Sequence, residues 1–336
     1  MKPVAPTSDP GNGPAPSAPP LGPEAVAVID IGSNSIKLLV ARRTADGGVA
    51  PLAVQSLDAR IGAGISATEP RLTDEGIGRG LDAVRTLLAA AAPFDPARTV
   101  LVATSAVRDA RNGAAFRERV RVATGHDVRI LTGDEEANLI GRGLTTDPAR
   151  RGLRDFYVFD LGGGSLECLA FRDRRIEQAR SLNLGCVRLT ERFVADSNLP
   201  LAAGAVAAIG RHTAEALAAS GFTFSLAADA PAVGTGGTVT TARAVLAARR
   251  GAAFEATSPL VSAGDLRELL DGVGGLPLER RREIRGLPPA RADIFPTAIA
   301  TLLALAELGG FSGFINSVHN LRYGVADELL GVSRSL

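Results

Sequence analysis

One strand–turn–strand occurs twice in this chain, 130 residues apart, and it constrains the fold more than any other feature. The first copy reads Ala27-Val28-Ile29-Asp30-Ile31-Gly32-Ser33-Asn34-Ser35-Ile36-Lys37-Leu38-Leu39-Val40. The second reads Tyr157-Val158-Phe159-Asp160-Leu161-Gly162-Gly163-Gly164-Ser165-Leu166-Glu167-Cys168-Leu169-Ala170. In each, an apolar strand ends in Asp, a small flexible turn follows, and a second apolar strand returns. A repeat at this distance implies two similar halves facing each other with a site between them.

The chemistry of the repeated turn points to phosphate. Glycine lets backbone approach an anion closely, and successive N–H groups in such a turn form an anion-binding concavity. Ser33, Asn34, Ser35 and Ser165 add side-chain donors. The Asp that ends each strand would repel a phosphate unless a hard cation such as Mg²⁺ lies between, since carboxylates and phosphate oxygens are its usual ligands. A single copy could be an ordinary hairpin built from turn-forming residues; the pair matches in both its turn and its acid. At one aligned position the copies carry opposite charges, Lys37 in the first against Glu167 in the second. Lysine is otherwise found only at Lys2, the remaining basic side chains being arginine.

The 336 residues suffice for two domains, and 46% hydrophobic content supplies a core. A net charge of +1 argues against a general nucleic-acid binder, which needs a basic excess. No apolar run is long enough to span a bilayer. Residues 1–23 are rich in Pro, Gly, Ala and Ser, which reads as a disordered tail without the apolar stretch of a secretory signal. Cys168 and Cys186 are too few for a disulfide framework, so a reducing cytoplasm is the expected location. His126, His212 and His319 show no zinc-ligand spacing.

Along the chain, strands are expected at Val26–Asp30, Ile36–Arg42 and Val49–Ser56, a helix from Asp74 to Ala92, and a strand at Thr99–Thr104. A helix over Asn112–Thr124 and a strand at Asp127–Leu131 lead to Thr132-Gly133-Asp134-Glu135-Glu136-Ala137, which opens a helix running to about Gly143. The second copy starts the order again, with a strand ending in Gly234-Thr235-Gly236-Gly237-Thr238; after it the chain reads as helical (263–272, 278–284, 291–308) up to a short strand near Phe314–Ser317 and a last helix near Leu321–Leu330. Two related α/β lobes result, with the natural ligand site in the cleft between them. The acids of Asp134–Glu136 suit a first helical turn on dipole grounds alone, and Gly234–Thr238 is open between a plain strand-to-helix turn and a ligand role.

These motifs, in this order, resemble the Ppx/GppA family of exopolyphosphatases and guanosine pentaphosphatases, in the actin-like ATPase and sugar-kinase superfamily. The resemblance is carried by both turns together with Arg60-Ile61-Gly62-Ala63-Gly64, the Ala103–Asn112 segment, Gly133–Ala137, Leu184–Glu191, Gly234–Thr238, Arg291-Ala292-Asp293-Ile294 and Leu321-Arg322-Tyr323-Gly324. It implies two ribonuclease H-like (actin-like ATPase) lobes with an interdomain cleft, the first formed by 24–140 plus 321–336 and the second by 141–320. It implies Glu136 as the residue that activates water, with Glu135 competing about 100° away on a helix. It implies phosphate binding by Ser33, Asn34, Ser35, Lys37, Arg108, Gly163, Gly164, Ser165 and Arg291, and Mg²⁺ held by Asp160 and Glu167. The expected activity is hydrolysis of the terminal phosphoanhydride of inorganic polyphosphate, in a homodimer. The alternatives are a guanosine pentaphosphate 5′-phosphohydrolase and a non-catalytic regulator that binds an alarmone or polyphosphate. Long family members carry further helical domains; the chain resembles the short form, which leaves extended binding of very long polyphosphate in question.

Overall fold

Apolar strands broken by Gly-rich and polar turns arrange this chain around two sheets. The structure, a computed structural model, describes residues 24–331, so the tail expected over 1–23 and the last residues of the expected first lobe, 332–336, lie outside the described residues. Strands β1 (Ala25–Ile31), β2 (Ser35–Arg43) and β3 (Val49–Asp58), at the three expected places, form an antiparallel meander. Helix α1 (Asp74–Ala91) starts at Thr73, whose side chain accepts from the Gly76 amide and so satisfies a free N–H of the first turn. Strand β4 (Arg98–Ala103) returns parallel to β1, helices α2 (Ser105–Asp109) and α3 (Gly113–Thr124) follow, and β5 (Val128–Ile130) completes a sheet of order β3-β2-β1-β4-β5. All seven residues of β1 are buried, as a central strand covered on both faces requires.

After α4 (Gly133–Thr145) the pattern recurs. Strands β6 (Phe156–Leu161), β7 (Leu166–Arg172) and β8 (Arg175–Leu182) form a second meander. Helices α5 (Cys186–Phe193) and α6 (Ala203–Ala219) precede β9 (Ala232–Thr235), which lies parallel to β6 as β4 does to β1. The chain then runs through α7 (Gly236–Arg249), β10 (Leu260–Ser262), α8 (Ala263–Gly274), α9 (Leu278–Arg282), α10 (Phe295–Gly309), β11 (Gly313–Asn316) and α11 (Leu321–Gly331). The second sheet has the order β10-β11-β9-β6-β7-β8.

Two details depart from the sequence reading. Strand β10, for which no element was expected, exists because Leu260–Ser262 pairs antiparallel with β11; three residues carry no readable period of their own. Helix α10 begins at Phe295 rather than Arg291. Pro296 is tolerated only in a helix's first turn, so the helix cannot extend back, and Pro289–Arg291 forms a separate 3₁₀ turn.

Helices α4 and α11 join the halves. Helix α4 packs on β7 and β8 of the second sheet, α11 packs on β1 and β2 of the first, and the two helices pack on each other. Their crossing is close because it uses glycine: a Cβ on Gly143 would run into the Asn320 carbonyl, and one on Gly324 into the Leu139 carbonyl. Leu139, Ile140 and Leu144 of α4 share one buried cluster with Val28 and Leu39 of the first sheet and Leu169 and Phe171 of the second. Among the described residues no helix is long and apolar enough to cross a membrane.

Candidate active site

The two copies of the turn close the same way. The Gly32 amide donates to the Ser35 carbonyl (3.2 Å), and the Gly162 amide to the Ser165 carbonyl (3.0 Å). Strand register then sets the residues behind each turn directly opposite one another: Asp30 pairs with Lys37, and Asp160 with Glu167. The position at which the copies carry opposite charges is therefore the cross-strand partner of the shared Asp. The turns also meet. A Cβ on Gly163 would sit 3.0 Å from the Ser33 Cβ and 3.2 Å from the Asn34 amide nitrogen, and Ser33 Oγ lies 3.1 Å from Ser105 Oγ.

Between the turns is a cavity of ≈ 70 Å³. One water needs about 10–15 Å³ by this measure, so the enclosed part takes roughly five water-sized groups, which suits a phosphoryl group and its immediate ligands. Of the residues expected at the site, Ser33, Asn34, Ser35, Lys37, Glu136, Asp160, Gly163, Ser165, Glu167 and Arg291 line it. Arg108 and Gly164 do not. Gly164 packs between Ser105 and Ser33, and Arg108 lies behind Glu136.

The helix start places Glu135 and Glu136 differently. Thr132 Oγ1 accepts from the Glu135 amide (3.2 Å) while the Thr132 amide donates to Glu135 Oε2 (2.8 Å), a reciprocal cap that holds Glu135 outward. Arg129 takes its other oxygen at 3.0 Å. Glu136, one residue on, turns inward and is 5% exposed. Its Oε2 accepts from Arg108 Nη1 at 2.7 Å, and the same nitrogen reaches the Leu131 carbonyl. Burial pushes the Glu136 carboxyl up to about 7, against the pull of Arg108.

The electrostatics are those of acids crowded out of water. Burial, with Glu136 and Asp160 beside it, holds Glu167 well above the usual carboxylate range, although Ser181 Oγ donates to it at 2.8 Å. Burial likewise raises Asp160, against Lys37 and hydrogen bonds from Thr235 (2.8 Å) and Asn320. Burial also raises Asp30, with Lys37 and Arg322 opposing and Asp160 adding to the rise. Lys37 is pushed down to about 8 by burial and by the cations Arg291 and Arg322.

Asp30 Oδ1 is buried with no hydrogen-bond partner. A buried anionic oxygen left unpaired is costly, and a cation at this point would discharge it and the neighbouring acids. Among the described residues no cluster of three or more His, Cys, Asp or Glu forms a ready-made metal cage. Mg²⁺ does not need one, because it keeps water and takes one or two carboxylates plus phosphate oxygens. The residues present therefore fit it.

Two residues near the site carried no expected role: Asn320, 6% exposed, lines the cavity and has an unpartnered Oδ1, and the buried Arg322, outside the lining, donates to the Leu38 carbonyl (2.9 Å). Arg322 belongs to a motif recognised in the sequence, whereas nothing marks Asn320. The Gly234–Thr238 turn spends its polar groups internally. Thr235 Oγ1 donates to Asp160, Thr238 Oγ1 donates to the Leu161 carbonyl (3.0 Å), and Arg291 lies over Gly237. Gly236, at φ +78°, can pass beside Asp160 only because it lacks a Cβ.

Solved structures share this fold. A crystallised exopolyphosphatase from Cytophaga hutchinsonii superposes with a TM-score of 0.83 at 24% identity, over 92% of this chain and 99% of that one. The Aquifex aeolicus member of the Ppx/GppA family gives a TM-score of 0.74 at 25% identity, over 93% and 99%. An exopolyphosphatase-like protein gives 0.80 at 28% identity, over 91% and 97%. A sequence model of the Ppx/GppA phosphatase family matches residues 39–332, from just beyond the first turn to the end of the last helix. With two lobes of the actin-like architecture and a match over most of its length, the chain belongs to the Ppx/GppA phosphatase family.

Proposed function

We propose that this chain is an exopolyphosphatase that hydrolyses the terminal phosphoanhydride of inorganic polyphosphate and releases orthophosphate. The observation that carries the reading is Glu136: a buried carboxyl titrating near neutrality, held by Arg108 at 2.7 Å, on the wall of a phosphoryl-sized cavity bounded by two Gly/Ser turns.

The roles follow from the chemistry of phosphoryl transfer, in which catalysis is mostly positioning and charge stabilisation. Backbone amides of the two turns, with Ser33, Asn34, Ser35 and Ser165, bind the oxygens of the terminal phosphoryl group. Lys37 and Arg291 add positive charge. Glu136 orients a water in line with the bond to be broken and takes its proton, for which a pKa near the working pH is suited. Arg108 holds the Glu136 carboxyl at a fixed angle and keeps part of it ionised. Asp160 and Glu167, with the unpaired oxygen of Asp30 beside them, would hold Mg²⁺, whose contribution is to neutralise developing charge on the phosphate oxygens.

The test is phosphate release from polyphosphate of several lengths, and separately from guanosine pentaphosphate, by the purified protein with MgCl₂. Release from polyphosphate is the expected result. Release from guanosine pentaphosphate alone would move the assignment to the nucleotide, and no release from either would leave the regulator reading. Glu136→Gln should cost about 10²–10⁴ in turnover while binding is kept; near-normal turnover would reassign the base.

A further inference from the structure

We propose that Arg60 and Asp293 are positioning residues for phosphate binding: across the cleft they fix the side-chain amide of Asn34 so that its Nδ2 faces the cavity. The proposal rests on the phosphate-binding reading of that cavity. It also gives a task to the Arg60–Gly64 and Arg291–Ile294 motifs.

Arg60 leaves β3 with φ +40°, a left-handed conformation that a residue with a side chain adopts only when its surroundings over-determine it. The surroundings do. The Arg60 amide donates to the Asn34 carbonyl (2.8 Å), and the Gly62 amide to the Ser33 carbonyl (2.9 Å). A Cβ on Gly62 would lie 2.7 Å from the Ser33 Cβ, so this loop sits directly on the first phosphate turn. From that seat the guanidinium reaches in two directions. Its Nε donates to Asn34 Oδ1 (3.2 Å), while both terminal nitrogens grip the two Asp293 oxygens, and Nη2 also donates to the Ala290 carbonyl (2.7 Å).

A guanidinium offers donors only. The Asn34 atom facing it is therefore the oxygen, and the NH₂ is turned the other way. Asn34 is 5% exposed, lines the cavity, and its Nδ2 has no partner in the protein. A buried donor left open in this way is matched by a phosphate oxygen. Asp293 lies two residues past Arg291, whose Nη2 stands 3.4 Å from Ser35 Oγ, and the buried Arg281 steadies the same loop through the Ala292 carbonyl (3.1 Å). Parting the lobes would take Asp293 from Arg60 and Arg291 from Ser35 together. Closure of the cleft and presentation of the donors are thus one event.

The experiment is a double-mutant cycle on Asn34→Ala and Asp293→Ala in the full chain. Calorimetry with imidodiphosphate, whose P–N–P link resists hydrolysis, reads binding; initial rates on polyphosphate read kcat and KM. Each single variant should bind about tenfold more weakly and raise KM about as much, with kcat within about threefold. The double variant should be no weaker than Asn34→Ala by more than about twofold, because Asp293 acts through Asn34. Arg60→Lys, which keeps the charge and loses the fork, should repeat the Asp293→Ala result, and it stands in for Asp293→Ala if that variant loses its cooperative melting transition. Multiplicative losses in the double variant, or unchanged binding by Asn34→Ala, would overturn the proposal. Imidodiphosphate binding without release of phosphate from polyphosphate would sink the hydrolase reading and leave the cycle readable; a wild-type chain that does neither overturns both.

Discussion

Replacing Arg108 by Gln tests whether this arginine sets the ionisation of the proposed base. The pair is close and mostly dry: Nη1 to Oε2 is 2.7 Å, with the Arg108 side chain 20% and the Glu136 side chain 7% exposed. An opposite charge at such range lowers a carboxyl's pKa by about 1–3 units, so its removal should lift Glu136 from about 7 by that much. With a pKa of about 7, the wild-type carboxyl would be about half ionised at pH 7. One unit of rise leaves roughly a tenth ionised and cuts kcat/KM about fivefold; two units cut it about fiftyfold. The assay is the pH profile of kcat/KM on polyphosphate at saturating Mg²⁺, whose acid limb reports the free enzyme's base. If Lys37, pushed down to about 8, sets the alkaline limb, that limb stays in place. The bell should then narrow from its acid side and lose height, with Arg108→Lys falling between. An acid midpoint that does not move, with activity lost evenly at every pH, would refute the reasoning and give Arg108 some other task.

Three further outcomes follow from the same geometry. The folded pKa of Glu136 is raised above its unfolded value of about 4.5, so its contribution to stability is full below that pH and is lost as pH rises through about 7. Glu136→Gln should therefore match the wild type in urea unfolding at pH 4.5 and exceed it at pH 8, by on the order of 3 kcal/mol; a difference that does not vary with pH would contradict this. Lys37→Gln removes a buried cation from the cavity and should raise KM for polyphosphate about tenfold or more, while an unchanged KM would place Lys37 outside the phosphate's reach. Gly143→Ala puts a methyl into the Asn320 carbonyl and should cost about 1–3 kcal/mol through overpacking, seen as a melting temperature several degrees lower; an unshifted melt would show that α4 and α11 can separate freely.

The parts of the site legible in the sequence were those on short, local patterns. Two hairpins with the same turn announce themselves because strand, Asp and glycines are contiguous, and strand register fixes Asp30 opposite Lys37 and Asp160 opposite Glu167 without any distant contact. The choice between Glu135 and Glu136 was half legible. Helical spacing separates the two, but Glu135 is occupied through its cap with Thr132 and through Arg129, 6 residues upstream. Arg108 could be matched to the site by motif, yet its position behind Glu136 depends on a contact between side chains 28 residues apart. Asn320 was invisible because it enters the cavity from the far end of the chain, carried by α11 onto the first sheet. The Arg60–Asp293 pair spans 233 positions, and each partner alone reads as a surface charge beside a loop.

The duplicated hairpin by itself does not make a hydrolase. With lysine at both cross-strand positions, two such turns would be an anion clamp; with glutamate at both, buried acids would repel the substrate. One of each gives a cavity in which anionic oxygen and a cation can be held side by side. The remaining ingredient is a carboxyl that is neither a cation ligand nor a cap, and the fold supplies it from α4. That helix follows the first sheet in sequence yet leans on β7 and β8 of the second, so its first turn points Glu136 over the seam between the halves. Burial at that seam raises the carboxyl and Arg108 restrains the rise, leaving it near neutrality. A carboxyl tuned in this way exists only where both halves are in place, which ties the proposed chemistry to closure of the cleft.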